Sequence, residues 1–204
     1  MIGIVGQGFV GNAIFQKFKK FYDIKTYDLD ESKANSSKEE TLSCDIVFVC
    51  LPTPMSTDGD CHTGIVESAI EDINNYGKCK IAVIKSTVTP GTADRLNKQY
   101  KNLHVAFNPE FLTERNAVED FNNQNRIILG GPRPATSKLK QIYSKVFPKA
   151  HIVKTGSTHA EMVKYFTNCF LASKVSFANE MYQLCDSLGL DYDKVVEYAT
   201  LDNR

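Results

Sequence analysis

The chain has 204 residues, 42% of them hydrophobic, enough for one large domain or for one domain and part of another. Its 24 basic and 24 acidic residues cancel, which excludes the charge bias of a nucleic-acid or anionic-membrane binder. No basic-then-apolar leader precedes Ile2, no apolar run approaches membrane-spanning length, and Cys44, Cys50, Cys61, Cys79, Cys169 and Cys185 form no CxxC or framework spacing. A cytoplasmic, soluble protein with reduced thiols, and with no membrane or nucleic-acid partner, is expected.

Ile2, Ile4 and Val5 read as a short buried strand. Gly6, Gly8 and Gly11 then spell G-x-G-x-x-G, and Phe9 to Phe21 continue with apolar residues at helical spacing. Between a strand and a helix each glycine has a task. Gly6 allows the tight turn, Gly8 lets the backbone approach a pyrophosphate, and Gly11 lets helix and strand pack closely. The phosphates meet the positive end of the helix dipole. Ile24 to Tyr27 predict the next strand, and Asp28 stands at its end, where a carboxylate accepts the two adenine-ribose hydroxyls. That carboxylate repels a 2′-phosphate and no Arg follows it, so the expected cofactor is NAD rather than NADP.

Leu29 to Cys44 is polar and reads as loop with at most one short helix. Strands follow at Asp45 to Leu51, Lys80 to Lys85, Leu103 to Phe107, Arg126 to Leu129 and His151 to Val153. Helices are predicted at Ile65 to Tyr76, at Pro90 to Tyr100 with Pro in the first turn, and at Lys138 to Val146. This alternation predicts an α/β fold, a doubly wound Rossmann-type parallel sheet over residues 1–155.

Residues 156–204 change character. Thr158 and Glu161 have capping-box spacing, and no Pro or Gly appears before Gly189, which predicts one long central helix. Met162, Phe166, Phe170, Leu171, Val175, Phe177, Met181, Leu184 and Leu188 cover most of its circumference. Something beyond its own domain must bury it, and a homodimer through residues 158–188 is expected. Asp191 caps a last short helix, Tyr192 to Ala199.

Asp58, Asp60 and His62 read as a polar loop, since an EF-hand starting at Asp58 would need other residues at 63 and 69, so no metal is expected. Three loops follow apolar strands directly: Leu51 to Pro54, Ser86 to Thr92, and Asn108 to Glu114. Ligands of open α/β sheets bind at such strand ends, and the three together read as cofactor and substrate contacts. Lys164 and Asn168 share one face of the long helix, as an exposed polar stripe or as part of a site.

In this order, Gly6-Gln-Gly-Phe-Val-Gly11, Leu51-Pro-Thr-Pro54, Ser86-Thr-Val-Thr-Pro-Gly-Thr92, Asn108-Pro-Glu-Phe-Leu112 and Ala160-Glu-Met-Val-Lys-Tyr-Phe-Thr-Asn168 resemble the UDP-glucose 6-dehydrogenase and GDP-mannose dehydrogenase family. The resemblance implies NAD-dependent oxidation of a sugar C6 alcohol to an acid, with a nucleotide-sugar substrate of the UDP-glucose kind. It implies an NAD site at Gly6, Gly8, Phe9, Val10, Gly11 and Asp28, with Thr53 and Thr87 on the nicotinamide side. Glu110 is implied as a general base working with a water that Thr87 holds, and Glu114 as a second acidic residue. Lys164 is implied as the oxyanion stabiliser, Asn168 as its neighbour, and Arg204 as a residue lent to a dimer partner. The family's catalytic-cysteine loop and UDP-binding domain would follow Arg204, so this chain reads as the NAD-binding portion. A non-catalytic NAD-binding or dimerisation module is the alternative.

Overall fold

The computed structural model describes residues 1–203, so Arg204 and its implied role lie outside the described residues. Seven strands are found among them: β1 (Ile2–Val5), β2 (Ile24–Tyr27), β3 (Ile46–Val49), β4 (Ile81–Ile84), β5 (His104–Phe107), β6 (Arg126–Gly130) and β7 (His151–Thr155). They form one sheet in the order β2-β1-β3-β4-β5-β6-β7. The first five pair in parallel. β6 meets β5 antiparallel at Phe107 and Gly130, and β7 runs parallel to β6. The sheet is therefore Rossmann-type and mostly parallel, with its last two strands reversed.

The helices are α1 (Phe9–Phe18), α2 (Lys38–Leu42), α3 (Gly64–Tyr76), α4 (Thr92–Gln99), α5 (Ala117–Asn123), α6 (Arg133–Val146), α7 (Ser157–Ser187) and α8 (Tyr192–Ala199). Strand side chains alternate between two cores. Ile4, Phe48, Val83 and Ala106 join α1, α5 and α6, whereas Val5, Val49, Ile84 and Val105 join α2, α3 and α4. Burial on both faces is why these strands read as continuous apolar runs. Phe18 centres the first core, edge-on to Phe48 at 5.9 Å and to Tyr143 at 5.3 Å.

Several boundaries differ from the sequence expectation. α4 starts at Thr92, because Gly91 (φ 99°) turns the chain in the left-handed region and leaves Pro90 outside. α6 starts at Arg133 rather than Lys138, with a proline in its first turn, where a missing N–H costs nothing. α5 has no sequence counterpart: only Ala117 and Phe121 of its seven residues are buried, too little for a periodic signal. The short segment after β2 holds one 3₁₀ turn (Glu31–Lys33) and the five-residue α2, so β2 remains a sheet edge.

The chain divides into two compact units, Met1–Lys164 and Tyr165 onward. In the first, the expected Thr158–Glu161 capping box does not form. Thr158 lies inside α7 and its hydroxyl donates to Asp94 Oδ2 at 2.8 Å. The buried Glu161 carboxylate accepts instead from the N–H groups of Gly91 (2.5 Å) and Ala93 (2.9 Å), capping the N-terminus of α4. Both peptide N–H groups would otherwise lack a partner at that helix end, and α4 has no side-chain cap of its own. Burial pushes the Glu161 carboxyl up, and the two N–H donors oppose that shift.

In the second unit Gly189 (φ 66°) follows the end of α7, Leu190 N–H donates to the carbonyl of Cys185, and Asp191 caps α8 through the N–H groups of Asp193 and Lys194. Phe166 is 72% exposed, Phe170 53% and Phe177 66%. Cys169 is exposed, whereas Cys185 is buried. Among the described residues no helix is long and apolar enough to cross a membrane.

Candidate active site

From β1 the chain moves to β2 on one side and then to β3 on the other, which makes a crevice at the C-terminal ends of β1 and β3. A cleft of about 670 Å³ opens there. Asp28, Lys33 and Lys38 line its β2 end, Gly6, Gly8, Phe9 and Val10 lie over β1, and Cys50, Thr53, Lys85, Thr87 and Glu110 line the β3–β4 end.

The three glycines stand in different surroundings. A Cβ on Gly6 (φ +89°) would meet the Cys50 carbonyl at 2.3 Å, and one on Gly11 would meet the Gly6 carbonyl at 1.9 Å. Around Gly8 nothing lies within 4 Å of that position, so the cradle is open. Gly8 is also the N-cap of α1, with no side-chain cap and no acidic residue in the first turn, which leaves those N–H groups to an anion. Asp28 Oδ2 accepts from the N–H of Gln7 at 2.6 Å and its Oδ1 from Asp30 at 2.9 Å, fixing the carboxylate beside the glycine turn. These features fit a dinucleotide with its pyrophosphate over Gly8 and its adenine ribose at Asp28.

At the other end the loops are tied together. Leu51 N–H donates to Ser86 Oγ at 2.9 Å, and the Cys61 thiol lies 3.6 Å from the Thr87 carbonyl. Lys164 Nζ donates to Glu110 Oε1 at 2.7 Å and to the Glu110 carbonyl at 2.6 Å, with both side chains largely buried. Glu110 Oε2 accepts from Leu112 N–H at 2.7 Å. The Phe111 ring lies under two cations, Arg126 at 4.4 Å and Lys164 at 5.6 Å. A carboxylate and an ammonium, 54 residues apart in sequence, thus meet at the cleft.

Residues 31–147 match the NAD binding domain of the UDP-glucose/GDP-mannose dehydrogenase family, and residues 158–204 match its central domain. The chain belongs to the UDP-glucose/GDP-mannose dehydrogenase family. It is 31% identical over 251 aligned positions to a UDP-glucose 6-dehydrogenase of Haloferax volcanii, covering 100% of this chain and 58% of that protein. A UDP-glucose 6-dehydrogenase of Rickettsia bellii is 36% identical over 173 positions, 81% of this chain and 40% of the relative. Among solved structures, a UDP-glucose dehydrogenase from Pyrobaculum islandicum superposes with a TM-score of 0.89 at 30% identity, covering 100% of this chain and 57% of that one. A GDP-mannose dehydrogenase from Pseudomonas aeruginosa shares the fold, with a TM-score of 0.86 at 23% identity. The chain spans about half the length of these relatives.

As in the family's NAD binding domain, the cofactor is NAD. Of the residues singled out from sequence, Gly6, Gly8, Phe9, Val10, Asp28, Thr53, Thr87 and Glu110 line the cleft, and Lys164 reaches Glu110. Gly11 acts from behind, by its contact with Gly6. Glu114 is exposed on a 3₁₀ turn (Glu114–Asn116) and is absent from the cleft lining, and Asn168 is exposed in the second unit.

Sequence reading missed two residues that line this cleft, Lys85 and Cys50. Lys85 is buried at the cleft and donates to Asn108 Oδ1 at 3.0 Å. Asn108 Oδ1 also accepts from the Tyr143 hydroxyl, and its Nδ2 donates to the Ile128 carbonyl at 2.7 Å. Burial pushes the Cys50 thiol up to about 12 and lowers the Lys85 ammonium to about 8. The available signal was a lysine ending a strand otherwise apolar on both faces, Ile81-Ala-Val-Ile-Lys85.

Proposed function

We propose that this chain supplies the NAD-binding and proton-handling half of a nucleotide-sugar 6-dehydrogenase acting on UDP-glucose. The observation that carries the reading is the Lys164–Glu110 pair at the β3–β4 end of an NAD cleft. NAD, when bound, supplies the hydride acceptor. Glu110 takes the proton of the C6 hydroxyl, through a water held at Thr87. Lys164 has ammonium protons to offer the oxyanion that develops, and Glu114 completes its surroundings once substrate is in place. Preorganisation favours this assignment, because Leu112 N–H and Lys164 already orient the carboxylate.

We also place the protein in the cytoplasm, in keeping with its six free cysteines. We assign it a homodimer through residues 158–188, because single exposed helices with so many large apolar side chains aggregate unless covered.

The test is NADH formation from UDP-glucose and from GDP-mannose, by this chain alone and by this chain joined to the second half of the Haloferax relative. Turnover is expected only from the joined protein, with UDP-glucose preferred, and lost in Glu110→Gln. Full turnover by a joined Glu110→Gln variant would overturn the reading.

A further inference from the structure

Lys85 has no task in the reading above, yet its placement is unusual. It is 3% exposed, it lines the cleft, and among the described residues no carboxylate lies within 4.0 Å of its ammonium. Its ammonium donates to a neutral amide oxygen, that of Asn108, at 3.0 Å. A buried ammonium without a counterion is costly, and such groups cluster where charge changes during function.

The groups that face Lys85 leave its charge uncompensated. From the end of β3 comes Cys50, whose thiol is held protonated by burial. From α6 comes Tyr143, whose hydroxyl burial likewise keeps neutral. From the loop after β5 comes Glu110, and from α7 comes Lys164, but these two are paired with each other at 2.7 Å. Two ammonium groups and one carboxylate therefore leave this end of the cleft positive.

The sheet order says which part of the cofactor meets that charge. Asp28 takes the adenine ribose at the β2 end, so a dinucleotide laid across β1 puts its nicotinamide over β3 and β4, the end that Lys85 lines. Only one thing distinguishes the two forms of the cofactor electrostatically: the oxidised ring is a cation and the reduced ring is neutral.

We propose that Lys85 determines the redox preference of this cleft, its uncompensated ammonium disfavouring the cationic oxidised nicotinamide and so favouring the neutral reduced form. The inference rests on the NAD reading of the cleft. A site that binds the reduced form more tightly raises the reduction potential of the bound couple, which helps the cofactor accept a hydride. A tenfold difference in affinity corresponds to about 30 mV for this two-electron couple.

The test uses the chain as it stands and measures binding rather than turnover. Dissociation constants for NAD and NADH are taken by calorimetry at pH values below and above 8, for the native chain, for Lys85→Met, and for Lys38→Met at the adenine end. In the native chain NADH should bind tighter than NAD by on the order of tenfold at neutral pH. The ratio should shrink as pH rises through about 8, where the Lys85 ammonium loses its proton. Lys85→Met should show the small ratio at every pH, whereas Lys38→Met should change both affinities alike. Should Lys85→Met fold poorly, the pH course of the native ratio decides by itself. A native ratio that is flat across this range, or one that survives in Lys85→Met, would overturn the inference while leaving the NAD assignment intact. If neither form binds, the cofactor assignment falls and this inference with it.

Discussion

Lys164 holds Glu110 twice, through the side-chain oxygen Oε1 at 2.7 Å and through the backbone carbonyl at 2.6 Å. One ammonium thus orients the carboxylate and pins the loop that carries it. The side chains are 6% and 13% exposed, so water screens the pair only weakly.

Removing one partner should therefore be costly. Lys164→Met leaves the buried carboxylate with the Leu112 N–H as donor but without its ammonium partner, and a loss of about 3 kcal/mol in stability is expected. Adding Glu110→Gln should recover part of that loss. Urea unfolding of the two variants gives the comparison. A single-variant loss under about 1 kcal/mol would mean the pair is not held as described.

The glycines of the first turn separate stability from binding. Gly11→Ala drives a Cβ to 1.9 Å from the Gly6 carbonyl oxygen, a backbone atom that cannot swing aside, and should cost several kcal/mol or prevent folding. Gly8→Ala meets nothing within 4 Å and has an ordinary φ of −67°, so its stability should stay within about 0.5 kcal/mol of native. Its NAD affinity should nonetheless fall, because the methyl projects where the pyrophosphate approaches. Thermal melts and calorimetry on both variants check this, and a Gly8→Ala protein with native NAD affinity would remove Gly8 from the site.

Asp28→Ala should weaken NAD by about 1.5–3 kcal/mol, the worth of hydrogen bonds to a charged group. Native protein should prefer NAD to NADP. Because Asp28 also accepts from Gln7 N–H, Asp28→Asn serves as the milder control. Equal calorimetric affinity of the native chain for both cofactors would refute the assignment.

Lys85 predicts an unusual pH profile of stability. Its folded value of about 8 lies below the ordinary 10.5, because burial disfavours the charged form. Between those values the unfolded chain binds more protons than the folded one, so this group makes stability rise with pH. The penalty, about 3 kcal/mol, is fully present below pH 8 and is relieved as pH approaches 10.5. Lys85→Met abolishes that slope. Urea unfolding at neutral and alkaline pH should show native protein gaining on the variant as pH rises; a constant difference would refute the shift.

The exposed face of α7 predicts association. Sedimentation at micromolar concentration should give a dimer, and Phe170→Asp with Phe177→Asp should give a monomer, since each side chain is more than half exposed in the single chain. A soluble native monomer would count against the dimer.

Much of the cofactor half was legible from the chain alone, for a local reason. Gly6, Gly8 and Gly11 act through backbone freedom and the absence of a Cβ, and Asp28 through its place at a strand end, so spacing suffices to see them. Strands buried on both faces and helices with one apolar face likewise write their environment into consecutive residues. The capping-box spacing of Thr158 and Glu161 was an equally local signal, and it misled. The N–H groups of Gly91 and Ala93, about 70 residues away, competed successfully for the Glu161 carboxylate. Burial of a charge was only faintly legible locally, in a lysine that ends an apolar run. Lys85 differs from an exposed lysine because groups distant in sequence surround it, Asn108 by a hydrogen bond and Cys50, Glu110 and Lys164 by their proximity. Sequence determined where the chain turns, which residues form the sheet and where a glycine leaves the first turn open. Tertiary structure decided which charges lose their water and which carboxylate meets which donor, because desolvation and pairing depend on what packs nearby in space.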